Sequence, residues 1–224
     1  MSEYSAQEMM QEHLKKRLDR TVAALRRNRF DAMWVATKEE ALAEVQATLR
    51  EGATVANGGS MTLGECGIME LLRSGKYQFL DREAVPREEM PAIYHKALSA
   101  DFYLMSSNAV TEEGELYNVD GNGNRVAALI YGPERVIVVA GANKLVPDIP
   151  AAVTRMKTLT APANAMRLKC DTPCAELGVC AGIRGGMAAG CHSEQRICAS
   201  YVVSGCQRVP NRVKVILVAE TLGY

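Results

Sequence analysis

The chain has 224 residues, enough for one α/β domain or two small ones. At 48% hydrophobic and 23% charged residues, its composition is that of a globular protein and excludes disordered or fibrous classes. Lys plus Arg equal Asp plus Glu at 26 each. No global field, arginine-rich tail or RNA-type aromatic motif therefore points to nucleic acid.

A chain without net repulsion has no electrostatic bar to self-association, so a homo-oligomer is an open expectation. The first residues are polar and charged and lack the apolar core of a signal peptide. The longest apolar runs, 136–142 and 215–219, are strand-sized. They fall well short of the roughly 18–20 residues of a membrane span. A cytoplasmic location is expected. Of seven cysteines, six fall within 170–206. In a reducing compartment this argues against a disulfide framework and toward metal or redox chemistry.

Ser5-Ala6-Gln7-Glu8 has capping-box form, and Met10, Leu14, Leu18, Val22 and Leu25 follow at helical spacing. They predict an amphipathic N-terminal helix within residues 1–29. Residues 30–36 predict a strand. Thr37-Lys38-Glu39-Glu40 opens a second helix that stops before Gly52. Residues 54–56 then feed the turn Asn57-Gly58-Gly59-Ser60, with Thr62 and Glu65 beyond it. Paired glycines permit unusual backbone angles and close ligand approach. Ser60 or Thr62 can cap the next helix, which is expected over 65–74 with Glu65 in its first turn. Further elements are a strand at 77–80, a helix at 88–98 and a strand at 101–106, followed by the connection carrying Asn108. Residues 115–119, Asp120-Gly121-Asn122-Gly123-Asn124 and 126–131 predict a β-hairpin. The Val/Ile run 135–140 predicts a strand covered on both faces, leading to Gly141-Ala142-Asn143-Lys144. Helices at 149–157 and 161–168, the cysteine-rich segment 169–207 and strands at 201–203 and 213–218 complete the chain.

Strands alternating with helices imply a mostly parallel sheet. Ligands of such sheets bind beyond the strand carboxyl ends, where the Gly58, Asn108 and Gly141 connections all lie.

Three sets of residues carry a family resemblance. The first is Gly58-Gly59-Ser60, Thr62-Leu63, Glu65 and Gly67-Ile68. The second is Ala100-Asp101, Asn108-Ala109, Thr111, Gly114, Asn118, Gly121-Asn122-Gly123 and Arg125. The third is Thr172-Pro173-Cys174, Gly178, Cys180, Arg196-Ile197-Cys198 and Leu222-Gly223-Tyr224. In this order they resemble the LUD (lactate-utilisation) domain family, specifically stand-alone members with a cysteine-rich C-terminal tail. The resemblance implies one Rossmann-like α/β domain over 1–224, similar to the sugar-phosphate isomerase and CoA-transferase group, with an N-terminal helix and an inserted β-hairpin. It also implies a role in lactate or related 2-hydroxy-acid metabolism, near an iron–sulfur oxidoreductase system. The long Gly/Ala-rich spacer between Cys180 and Cys191 departs from the family pattern.

Glu65 is the candidate acid, base or nucleophile, because burial can tune a carboxylate upward. Its bland alternative is a carboxylate that complements the helix dipole. Gly58, Gly59, Ser60, Thr62, Asn108, Asn143 and Lys144 are candidate contacts to a small anionic metabolite. Arg125 and Lys144 are candidate anion contacts whose default reading is surface charge; Asn118 can orient a substrate through its amide but, like Asn122 and Asn124, reads first as a turn residue. Cys174, Cys180, Cys191 and Cys198, with Cys170 as alternate, are candidate ligands for zinc or an iron–sulfur cluster, since thiolates suit soft metals. A redox thiol pair and plain buried cysteines are the alternatives. His192 is a spare ligand, and Cys66, expected at a helix start, is a candidate low-pKa thiol. Two other functions stand beside metabolite binding: a metal-bearing accessory subunit that docks oxidoreductase partners, and an isomerase or CoA transferase by fold analogy.

Overall fold

The structure is a computed structural model and describes residues 5–224. The first four residues of the expected N-terminal segment lie outside the described residues. In chain order the elements begin with α1 (Ala6–Arg27), β1 (Asp31–Val35), α2 (Lys38–Thr48), β2 (Thr54–Asn57), α3 (Met61–Glu65), α4 (Ile68–Leu72) and β3 (Gln78–Phe79). There follow α5 (Met90–Ala97), β4 (Phe102–Met105), β5 (Ala109–Thr111), β6 (Leu116–Asp120), α6 (Asn124–Ile130), β7 (Arg135–Gly141) and β8 (Leu145–Val146). The last are α7 (Ile149–Arg155), a π-helical turn (Met156–Thr160), α8 (Ala161–Arg167), α9 (Pro173–Leu177), β9 (Ser200–Ser204) and β10 (Val213–Val218).

Six strands form one parallel sheet in the order β1-β10-β7-β4-β2-β3. Its central strands are buried on both faces, which explains their unbroken apolar runs. Along β7, Val136, Val138 and Ala140 join Leu18, Val22 and Leu25 of α1 and Leu129 of α6 in one core. Ile137 and Val139 turn the other way, toward Val45 of α2, Leu63 of α3 and Ile68 of α4. A second sheet, β8-β5-β6-β9, packs its own core of Tyr117, Val119, Ala152 and Met156. The expected α/β fold with a mostly parallel sheet is thus the one observed.

Two elements differ from expectation. The inserted hairpin is β5–β6, and residues 124–130 are helix α6 instead of a return strand. The Asp120 carboxylate decides this: Oδ2 accepts the Arg125 and Val126 backbone N–H groups at 3.0 and 3.2 Å, so it caps a helix instead of turning a hairpin. The second difference is the expected helix 65–74, which is two short helices broken at Gly67, whose φ of 71° is left-handed. Glu65 therefore ends α3 and is not in its first turn.

The hairpin is locked against α1. Asn28 Nδ2 donates to the carbonyls of Glu113 and Gly114. Gly114 has φ +87°, and a Cβ there would lie 2.4 Å from the Ala24 carbonyl carbon. Gly114→Ala is therefore expected to cost about 3 kcal/mol of unfolding free energy, combining left-handed strain with a backbone clash. Urea denaturation measures it. A loss under about 1 kcal/mol would mean that α1 can separate from the hairpin without penalty.

Candidate functional site

The chain leaves β2 for the β3 edge but leaves β4 toward β7. The crevice between the β2 and β4 carboxyl ends is therefore a topological switch point, the usual ligand position in open α/β sheets. A cavity of about 1100 Å³ opens there. Gly59 and Ser60 after β2, Ser106, Ser107 and Asn108 after β4, and Lys144 after β7 all line it.

The Gly58-Gly59 pair makes room for two arginines. A Cβ on Gly58 would meet Arg125 Cδ at 2.9 Å, and one on Gly59 would meet an Arg82 guanidinium nitrogen at 2.6 Å. Ser60 caps α3 by accepting the Leu63 N–H, and Thr62 is fully buried behind it.

Arg125 is a buried residue, 9% exposed, and not surface charge. All five of its N–H donors are used. Nε donates to Asp120 Oδ1 at 2.9 Å. Nη1 donates to the Ser106 carbonyl and Asn118 Oδ1. Nη2 donates to Asn108 Oδ1 and the Val119 carbonyl. Asn118 is a buried strand residue in this network, not a turn residue. Asn108 also accepts the Val119 N–H, so its amide organises the cavity wall.

Lys144 stands apart. It is 4% exposed, and Nζ donates to Thr62 Oγ1 at 2.8 Å and Ser106 Oγ at 2.9 Å. Burial, then the Arg155 charge, lower its pKa to about 7, against a smaller raising effect of Glu65. The segment Leu222-Gly223-Tyr224 closes over it. Asn143 Oδ1 accepts the Leu222 N–H, and Nδ2 donates to the Gly223 carbonyl. Glu65 Oε2 accepts the Gly223 N–H at 2.7 Å. Glu65 and Asn143 thus clamp this segment from outside the cavity wall. Tyr224 donates its hydroxyl to Asn164 and accepts from Arg167.

The sequence reading missed Arg82, Arg87, Arg167, Lys169 and Arg196, which also line the cavity. Of these, Arg82 and Arg87 follow β3, so the rule that found the Gly58 and Asn108 loops could have found them. Arg167 and Lys169 come from the α8 end, where no local signal marks them, and Arg196 from the cysteine segment, where it is read as part of the Arg196-Ile197-Cys198 motif and not as a cavity residue. None of these five, nor Lys144, forms an ion pair among the described residues. The acids on the wall are Asp120, already paired with Arg125, and Glu194.

Cys170 lines this cavity, apart from the other candidate ligands. Burial pushes the Cys174 thiol up, and the nearby Cys191, Cys198 and Cys180 push it further, against a hydrogen bond from Thr172. These four thiols are a soft donor set gathered in one region, and His192 beside them is exposed. Among the described residues, no group of three or more His, Cys, Asp or Glu side chains is arranged to hold a metal ion. Cations hold the long spacer instead. Lys157 Nζ donates to the Gly182, Gly185 and Gly186 carbonyls. Arg196 donates to those of Ala188, Cys191 and Cys198. Cys66 ends α3 instead of starting a helix, and burial raises its pKa to about 11, the reverse of a reactive thiol.

The lowered pKa of Lys144 fixes a sign. Between about 7 and its ordinary 10.5, the unfolded chain binds a proton that the folded chain does not. Lys144 therefore takes stability away as pH falls through that window, fully so below about 7 and not at all above 10.5. Lys144→Met is expected to remove this slope. Thermal melts from pH 7 to 10.5 should show the variant gaining on wild type toward low pH, by a few kcal/mol at most. Parallel curves would show that Lys144 stays protonated throughout.

Among the described residues no helix is long and apolar enough to cross a membrane. The family model of the LUD domain matches residues 18–218. No curated protein matches the chain. A solved DUF162 family protein from Deinococcus radiodurans is 15% identical, with 93% of this chain and 98% of that one covered and a TM-score of 0.50, a likeness of fold. A ribose 5 phosphate isomerase A from Neisseria gonorrhoeae is 16% identical over 50% of this chain and 54% of its own, at a TM-score of 0.33. With nine-tenths of its length inside one family model, the chain belongs to the LUD domain family.

Proposed function

We propose that this LUD-domain protein binds a small anionic metabolite in the cavity at the β2, β4 and β7 carboxyl ends, and that it serves lactate or related 2-hydroxy-acid metabolism. One observation carries the reading: five cations without ion-pair partners among the described residues, Arg82, Arg87, Arg167, Lys169 and Arg196, converge with Lys144 on one cavity of a chain whose formal net charge is zero. Unpaired cations around a concave, partly desolvated site concentrate anions. Gly58 and Gly59 give the arginines clearance, while Ser60, Asn108 and Lys144 offer polar contacts. Thr62 acts through Lys144, and Glu65 and Asn143 act by holding the covering segment.

Titration calorimetry with lactate, pyruvate and a sugar phosphate tests this. At least one is expected to bind, with affinity falling as salt rises. Arg167→Met, which removes a rim cation held by Asn164 and Tyr224, should weaken binding about tenfold. Failure of every anion to bind at low salt would refute the reading.

The gathering of Cys174, Cys180, Cys191 and Cys198 favours a second one, a zinc- or iron–sulfur-bearing accessory subunit of an oxidoreductase. Anaerobic purification, elemental analysis and a visible spectrum decide it. Stoichiometric metal that disappears in Cys174→Ser and Cys198→Ser supports it. Metal-free protein refutes it.

A further inference from the structure

The chain contains two buried lysines near the site, and they are built differently. Lys157 donates to three backbone carbonyls at 2.6, 2.7 and 3.1 Å. Carbonyls only accept, so this arrangement uses all three protons of an ammonium. Lys144 has two hydroxyl partners and no carboxylate within ion-pair range among the described residues. Thr62 commits its own proton to the Leu222 carbonyl, so its oxygen accepts from Nζ. The Ser106 hydroxyl accepts the other bond from Nζ, so the two acceptors match the two protons of a neutral amine, leave its lone pair free, and would leave the third proton of an ammonium without a partner.

The charged groups acting on Nζ are Arg155 of α7 and Arg125 of α6, which disfavour the ammonium, and Glu65 and Cys66, which favour it more weakly than burial opposes it. Gly223 passes close to Nζ, and a side chain there would crowd it. A Cβ there would lie 3.4 Å from Nζ and 2.9 Å from Thr62 Oγ1.

Resting on the anion-cavity reading, we propose that Lys144 is a nucleophilic amine that forms an imine with the carbonyl carbon of an anionic oxo compound held in the cavity. The amine lone pair attacks the carbonyl carbon, giving a carbinolamine. The two amine hydrogens pass to the former carbonyl oxygen, with Ser106 Oγ placed to relay them. That oxygen leaves as water, and the N=C bond replaces the C=O bond without any change of oxidation state. The unpaired arginines of the cavity hold the carboxylate or phosphate of the same molecule, which separates this ligand class from neutral aldehydes.

The test uses the full chain with pyruvate and, separately, dihydroxyacetone phosphate, each with cyanoborohydride to reduce the imine. Intact mass and peptide mapping locate the adduct. A single adduct on Lys144 is expected, and whichever compound gives it identifies an oxo acid or a sugar phosphate as the source. Its rate in the wild type should level off once pH passes about 7. Lys144→Met removes the amine and should abolish the adduct. Should that variant fail to fold, the wild-type map and pH profile still decide the matter. Adducts spread evenly over surface lysines, or none at Lys144, overturn the proposal. Calorimetry without reductant then separates the two readings: binding without an adduct leaves the anion cavity standing, and no binding removes both.

Discussion

The structure turns on one buried guanidinium. Arg125 joins the end of β4, three consecutive residues of β6, the Asn108 connection and the first turn of its own helix. Burying such a charge is costly unless it is paired and every donor is satisfied. Asp120 supplies the pair and caps α6 with its second oxygen. The large sheet and the small sheet are therefore tied at the point where the cavity opens. The same arginine explains Gly58, whose missing side chain leaves room for the Arg125 methylenes. Replacing one member of such a network strands the others, so its parts are held together more strongly than any single bond implies.

Around this neutralised centre lies a wall whose charge is not neutralised. Arg196 is bound by three carbonyls and the Tyr201 hydroxyl, and Arg167 by Asn164 and Tyr224. Neutral acceptors fix these side chains in place without cancelling their field. Cations held this way keep their positions without a counter-charge to fix them. A chain with no net charge thus carries a strongly positive cavity.

The parallel sheet was legible because its signals are local. The Val/Ile run of β7 can only be covered on both faces, and strand-to-helix alternation implies crossovers. The three loops that meet at the cavity followed from strand direction alone. Asp120-Gly121-Asn122-Gly123-Asn124 was misread because the same residues suit a hairpin turn and a helix start. The choice is made by the Asp120 carboxylate, which accepts the first-turn N–H groups of α6 and is held in place by Arg125. Glu65 was placed one helix turn wrong because Gly67 breaks what periodicity reads as one helix. Arg167 and Lys169 gave no signal, since isolated basic residues gain meaning only when packing brings them together, and Arg196 stood out only as part of a family motif.

The cysteine segment and the cavity share a residue. Arg196 lines the cavity and also holds the Cys191 and Cys198 carbonyls, while Cys170 lines the cavity directly. The long spacer after Cys180 is wrapped by its carbonyls around Lys157 and Arg196, so these cations give it a shape of its own. A displacement of the Cys191 or Cys198 backbone therefore moves Arg196, and with it one of the charges that line the cavity. Coupling between two parts of a fold needs such a physical link, and here one side chain supplies it: Arg196 spends its donors on the cysteine segment while its guanidinium lines the cavity.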